Sequence, residues 1–233
     1  MRWYHGTLIS IAGLLTTMEP LYAQGVRSAA PQGGGATATT AAPRRDDWQR
    51  PGDIFAALGA TAGSRIADLG AGEGWLTLRL AKQVGPTGRV FASDISDEAL
   101  TRLGESLTRD SLRHVELVLA EDDDPRLPLG TLDGVVILNA YHEMTQRVAV
   151  LDGVKRALRP GGVLVIVDNV PADSTARTRK DQTSRHSLAL EFARDDLEAQ
   201  GFELVSQDPA FVDQRNGAMQ HRQWMIVARR SKK

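Results

Sequence analysis

The chain has no cysteine among its 233 residues. That excludes a disulfide scaffold, a thiolate zinc site, a cysteine nucleophile and a lipid-modified N-terminal cysteine. A chain without free thiols suits an oxidising compartment. There is no surplus of either charge: 28 Lys and Arg stand against 29 Asp and Glu, a net charge of −1. A dedicated nucleic-acid binder carries a basic excess, so no nucleic-acid partner is expected. Glycine (22) and proline (10) are too few for a collagen-like or low-complexity chain. No apolar run approaches the roughly 20 residues a spanning helix needs, so no stable membrane span is expected. What remains is ordinary globular composition, 42% apolar and 24% charged.

Three regions follow from the order of residues. In 1–25, Arg2 and His5 precede the apolar stretch from Leu8 to Leu15, Pro20 breaks it, and Ala23 and Gly25 offer small residues for cleavage. That order is the pattern of a secretory signal, and it predicts a periplasmic or secreted protein, with a cytoplasmic one as the alternative. Residues 26–45 are rich in Gly, Ala and Thr and carry almost no large side chains. Such a segment cannot bury enough apolar surface to offset its ordering entropy and reads as a flexible linker. Residues 46–233 are globular.

In that last region strand-like and helix-like segments alternate. A helical lead-in from Asp46 through Leu58 is interrupted at Pro51-Gly52. Strands are expected at Arg65–Leu69, Arg89–Ser93, Val115–Ala120, Asp133–Asn139, Val163–Val167, Phe202–Ser206 and Gln223–Ala228. Helices are expected at Trp75–Val84, Asp97–Thr108, Thr145–Leu158 (closed by Arg159-Pro160-Gly161-Gly162) and His186–Gln200. The pattern predicts a Rossmann-like α/β fold with helices on both faces of a seven-stranded, mostly parallel sheet. No helix separates the last two strands, so the final one should run antiparallel as a hairpin partner at one edge. In such a sheet, ligands bind at the carboxyl ends of the strands.

The most informative stretch is Ile66-Ala67-Asp68-Leu69-Gly70-Ala71-Gly72-Glu73-Gly74-Trp75, where a first strand turns into the helix that follows it. A pyrophosphate site has G-x-G-x-x-G. This loop has G-x-G-x-G, and Asp68 and Glu73 would repel a pyrophosphate but suit a cationic ligand with an amino group. Asp94 ends the second strand, where a carboxylate reaches ribose hydroxyls, and Glu121-Asp122-Asp123-Asp124 follows the third. A member of that run could accept a hydrogen bond from an adenine amino group. Single acidic residues after strands are often helix caps, but three sets on one sheet edge can all touch one ligand.

IADLGAGEG, the Asp94 strand end, DDDPRLPLGTLDGVVILNAYHEM and RALRPGGVLVIVD together resemble class I S-adenosylmethionine-dependent methyltransferases. The phrasing D-D-P-x-L-P…Y-H-E is most similar to a branch of predicted bacterial methyltransferases, many with export signals. The resemblance implies S-adenosylmethionine as cofactor and a sheet whose last strand is antiparallel. It implies that Asp68, Gly70, Ala71 and Gly72 line the methionine side of the cofactor. Asp94, with Ile95 beside it, would hold the ribose, Asp122 or Asp123 would meet the adenine, and Asn139 would stand beside the transferring methyl.

Methyl transfer is an in-line displacement that needs alignment and exclusion of water, with a base only if the acceptor arrives protonated. Tyr141-His142-Glu143 follows the fourth strand, where an acceptor would lie. His142 is the candidate base, or else a histidine that orients the loop. Asp168, ending the fifth strand, could orient His142 or contact substrate, and His186 is a further candidate. The basic loop holding Arg177, Arg179, Lys180 and Arg185 reads as a solvated face rather than an anion site, and Trp48 and Trp75 as packing residues. No cluster has metal-ligand spacing such as H-E-x-x-H, so no metal is expected. The reading is methyl transfer to a small-molecule acceptor. One alternative is a non-catalytic exported domain that only binds the cofactor, motivated by the cytoplasmic origin of that cofactor. A nicotinamide-dependent oxidoreductase is disfavoured by Asp68 and the glycine spacing.

Overall fold

A strand buried on both faces needs apolar side chains at every position, and Val135-Val136-Ile137 and Leu164-Val165-Ile166-Val167 supply them. These lie in β4 (Leu132–Leu138) and β5 (Leu158–Asn169) of a seven-stranded sheet. With β1 (Arg65–Leu69), β2 (Arg89–Asp94), β3 (Val115–Leu119), β6 (Glu203–Asn216) and β7 (Met219–Arg229), the order is β3-β2-β1-β4-β5-β7-β6. The computed structural model describes residues 44–172, 178–216 and 219–232. The expected signal segment, the linker up to residue 43 and Arg177 lie outside the described residues.

Alternate side chains of each strand feed two cores. Ala67, Ile137, Ile166 and Ile226 pack toward Leu151 and Val154 of α5 (Arg147–Ala157) and Leu197 of α7 (Leu190–Ala199). Ile66, Val136, Val165 and Val227 pack toward Leu58 of α2 (Pro51–Leu58) and Leu80 of α3 (Trp75–Val84). In α3 the buried Leu76, Leu80 and Val84 recur every four residues, one stripe of a helix. The helix α4 (Asp97–Arg109) starts where the Ser96 hydroxyl accepts the Ala99 N–H at 3.2 Å. Pro51, which interrupts the lead-in, stands at the first turn of α2, after the short α1 (Arg45–Trp48).

Strands β1 to β5 are parallel, as the alternation predicts. The final strand is antiparallel, but it is not at an edge. β7 lies between β5 and β6, pairing antiparallel with both, and β6 is the edge strand. A direct hairpin forces β7 to oppose β6, and the apolar Trp224, Ile226, Val227 and Ala228 suit the covered inner slot.

Other differences have local causes. β6 runs well past Ser206 through register shifts around Leu204/Ser206 and Asp208/Val212. Pro209 lacks an N–H, and the edge strand carries it at a bulge. The helix expected from His186 starts only at Leu190. Before it come a short α6 (Arg179–Thr183) and a reversal in which His186 has φ 52°. Arg45, at the end of the expected linker, already opens α1 with Arg44 as its cap, and its guanidinium lies 4.2 Å over the Trp75 ring. Among the described residues no helix is long and apolar enough to cross a membrane.

Candidate active site

The strand order reverses between β1 and β4, which opens a crevice at their carboxyl ends. The turn after β1 is built against that crevice. Gly70 has φ +77°, and a Cβ there would stand 2.4 Å from the Ala140 Cβ, so only glycine lets the turn rest on the chain leaving β4. Gly72 (φ +53°) has open space where a Cβ would be. The Asp94 carboxylate pins the turn from β2: Oδ2 accepts the Gly72 N–H at 2.7 Å and Oδ1 the Ser96 N–H at 2.9 Å.

A cavity of about 400 Å³ occupies the crevice. Gly70, Gly72, Asp94, Ile95, Asp122 and Asn139 are on its wall, together with Leu69, Met144, Thr145 and Val150. Asp123 is not, so of the consecutive aspartates Asp122 faces the cavity. Asp124, exposed, instead folds back on its own loop and accepts the Arg126 N–H at 2.9 Å. Ala71 is off the wall as well and packs against the apolar cluster of Leu103 and Leu107.

Asp68 also stays behind the wall. It is buried and accepts the Thr77 hydroxyl at 2.7 Å, tying β1 to α3. Burial pushes its carboxyl up to about 6, against the opposing pull of the Thr77 hydrogen bond and of the Arg45 charge.

Beyond Asn139 the chain makes one 3-10 turn, Tyr141–Glu143. Tyr141 anchors it: its hydroxyl donates to Asp196 at 2.8 Å, and burial beside that carboxylate pushes the phenol up. Arg179, expected to be solvated, completes this anchor with two bonds to Asp196 at 2.7 and 2.9 Å. His142 is thereby turned inward. Its ring, 3% exposed, pairs through Nδ1 with Asp168 Oδ1 at 2.7 Å, and its backbone N–H donates to Asp168 Oδ2 at 2.8 Å. Burial alone would lower the imidazole, but the hydrogen bond and charge of Asp168, with Glu143 beside it, hold it above the ordinary value.

Neither His142 nor Asp168 lies on the cavity wall, and Glu143 does. Asp168 holds His142 through both its ring and its backbone N–H, behind the lining of this cavity. His142 Nε2 stands 3.5 Å from Glu143 Oε1, and His186 Nδ1 stands 3.4 Å from the same oxygen. The fold thus brings His142, Glu143 and His186 together, with all three donor atoms within 4.8 Å of one another. The spacing along the chain gave no hint of it, because His186 arrives from a loop more than 40 residues away.

Sequence reasoning also missed a buried amide network. Gln49 Nε2 donates to Gln223 Oε1 at 2.5 Å, and Gln223 Nε2 donates to the Asn139 and Asn169 side-chain oxygens. It ties the residue that caps α1 and the residue that follows β4 to β5 and β7, with Asn139 itself on the cavity wall. No local pattern marks residues 174 positions apart.

Residues 66–162 match the family model described as "Methyltransferase domain". A ubiquinone/menaquinone biosynthesis C-methyltransferase of Pseudomonas putida is 32% identical over 112 residues, covering 47% of this chain and 43% of that protein. The chain spans under half the length of the curated relatives it matches. Among solved structures, an S-adenosylmethionine-dependent methyltransferase from Aquifex aeolicus superposes with a TM-score of 0.68 at 21% identity, over 81% of this chain and 94% of that one. The [4+2]-cyclase SpnF superposes with a TM-score of 0.66 at 15% identity, over 78% and 81%. Residues 66–162 thus carry a methyltransferase-domain match, set in the Rossmann-like fold of S-adenosylmethionine-dependent methyltransferases.

Proposed function

We propose that this chain binds S-adenosylmethionine in the cavity at the ends of β1, β2, β3 and β4 and transfers its methyl group to a small-molecule acceptor. One observation carries the reading: Gly72, Asp94, Asp122 and Asn139, from four successive strand ends, share the wall of one cavity of about 400 Å³. That volume lies within the roughly 300–1,000 Å³ of small-molecule sites. The residues fit the cofactor's chemistry. Asp94 holds the ribose hydroxyls, Ile95 covers one face of the base, and Asp122 meets its amino group. The open space at Gly72 admits the methionine end, whose sulfonium suits a wall of carboxylates. Bound there, the cofactor supplies an electrophilic methyl.

The chain's own part is placement. Asn139, in the left-handed region (φ 55°) with its side-chain oxygen accepting the buried Gln223 amide, fixes the polar edge beside the reacting centre. Met144 and Val150 exclude water from the same region. Glu143 is the ionisable wall residue nearest the histidines. The domain match and the C-methyltransferase relatives support transfer over a purely binding role. The cyclase with the same fold is a reminder that fold alone does not set chemistry. The order of charge, apolar stretch and small residues in 1–25 supports export of the chain.

Calorimetry with S-adenosylhomocysteine and with NAD tests the reading. Wild type should bind the first and not the second. Asp94→Ala should weaken binding by roughly one to two decades, as loss of a charge-assisted hydrogen bond costs about 1.5–3 kcal/mol. Unchanged affinity in Asp94→Ala would remove the ribose assignment, and NAD binding would favour the oxidoreductase.

A further inference from the structure

We infer that His142, Glu143 and His186 form a binding site for one divalent transition-metal ion at the rim of the cavity. The argument starts from two distances. His142 Nε2 and His186 Nδ1 lie 3.5 and 3.4 Å from the same oxygen, Glu143 Oε1. Both are longer than the 2.7–3.2 Å range of an N–H···O bond. They match the edge of a tetrahedral cation site, which is about 3.3–3.4 Å when ligands stand at ~2.0–2.1 Å. The two imidazole rings meet edge to face, 5.7 Å between centroids and 86° between planes, so they do not stack on each other. Two rings can so converge on a common point.

The surroundings add a second, independent feature. Asp168, fully buried, takes the Nδ1 side of His142 at 2.7 Å. A carboxylate on the far nitrogen fixes the tautomer that leaves Nε2 as the donor, which is how metal-bound histidines are held. The backbone N–H of His142 is held by the same carboxylate at 2.8 Å, so the ring has little freedom. Opposite it, His186 sits at φ 52°, rare for a residue with a side chain, and its carbonyl accepts the Asn169 amide at 3.1 Å.

Two imidazoles and one carboxylate favour a borderline cation such as Zn²⁺ over Mg²⁺ or Ca²⁺. Three protein ligands leave at least one position open. Since Glu143 is on the cavity wall, an ion held by it would stand at the edge of that cavity. An oxygen or nitrogen atom of the acceptor can complete the coordination there, which fixes its orientation and acidifies its proton. This last role rests on the methyltransferase reading; the metal site itself does not.

The test uses the untagged full chain, freed of metal with a chelator and titrated with Co²⁺ under visible spectroscopy and elemental analysis. One Co²⁺ per chain with ligand-field bands is expected. His186→Ala and Glu143→Gln should each abolish the bands. Asp168→Asn should weaken binding roughly 10–100-fold, the usual cost of losing a partner that orients a ligand. His186 is 77% exposed, so its removal leaves the fold intact and provides the decisive variant should Asp168→Asn fail to fold. No binding at millimolar Co²⁺, or binding undiminished in His186→Ala and Glu143→Gln, overturns the site. S-adenosylhomocysteine calorimetry on the same samples separates the two ideas. Cofactor bound without metal removes the metal site alone, and metal bound without cofactor removes the methyltransferase reading alone.

Discussion

At Asp68 two demands meet in one side chain. It is buried in β1, which disfavours its charge, and its Oδ2 accepts the Thr77 hydroxyl, which the charged form does best. Burial is the larger influence, and it raises the carboxyl from 3.8 to about 6, with Arg45 pulling it down and Asp94 pushing it up. The folded chain therefore keeps this proton through a window, about pH 4 to 6, in which the unfolded chain has released it. More protons bound by the folded state means that stability falls as pH rises through that window and is flat above it. A displacement of roughly two units corresponds to about 3 kcal/mol. Asp68→Asn accepts the same hydroxyl but does not titrate. Its stability relative to wild type should rise by about 3 kcal/mol between pH 4 and 7, measured by urea unfolding at a series of pH values. A difference that stays constant over that range would show that Asp68 does not carry the proton.

At the scale of elements, the segment from β1 through α3 could be read from sequence because its signals are local. Arg65–Leu69 and Trp75–Val84 have the expected bounds: an apolar run, three glycines, an every-fourth-residue stripe and Gly85 as a stop. Elements set by distant partners were not legible. The inner position of β7, the length of β6 and the 3-10 turn at Tyr141 depend on pairings across the sheet, on a bulge at Pro209 and on an anchor at Asp196. The same division runs through the site. Gly70, Asp94 and Asn139 follow from strand ends, whereas Glu143 on the wall and His186 beside it follow from a loop closure. The turn also gives an element-scale prediction. Gly70→Ala combines a left-handed backbone, about 1–2 kcal/mol, with a clash against Ala140, about 1–3 kcal/mol. A loss of about 2–5 kcal/mol is expected in chemical denaturation. Ala140→Gly in the same chain should restore the second part and leave the first. A double variant no more stable than Gly70→Ala would show that the close approach of the two turns is not what requires glycine.

For the whole molecule, the question is how a cytoplasmic cofactor and the export proposed from residues 1–25 could belong to one chain. The two features occupy separate stretches. All cavity-wall residues lie at Leu69 or beyond, and the described fold starts at Arg44. Removing 1–25 deletes Arg2 and Glu19 together, so the net charge stays −1. Binding and export should therefore separate by experiment. In a fractionated bacterial host the full chain should be recovered outside the cytoplasm, with its mature N-terminus at Gln24 to Val26, where Ala23 and Gly25 allow cleavage. A chain lacking residues 2–25 should stay in the cytoplasm and bind S-adenosylhomocysteine with unchanged affinity. N-terminal sequencing decides the first point and calorimetry the second. A full-length product that remains cytoplasmic and still begins at Met1 would defeat export and leave the cofactor reading standing. A truncated chain that loses binding would show instead that the leader region contributes to the fold.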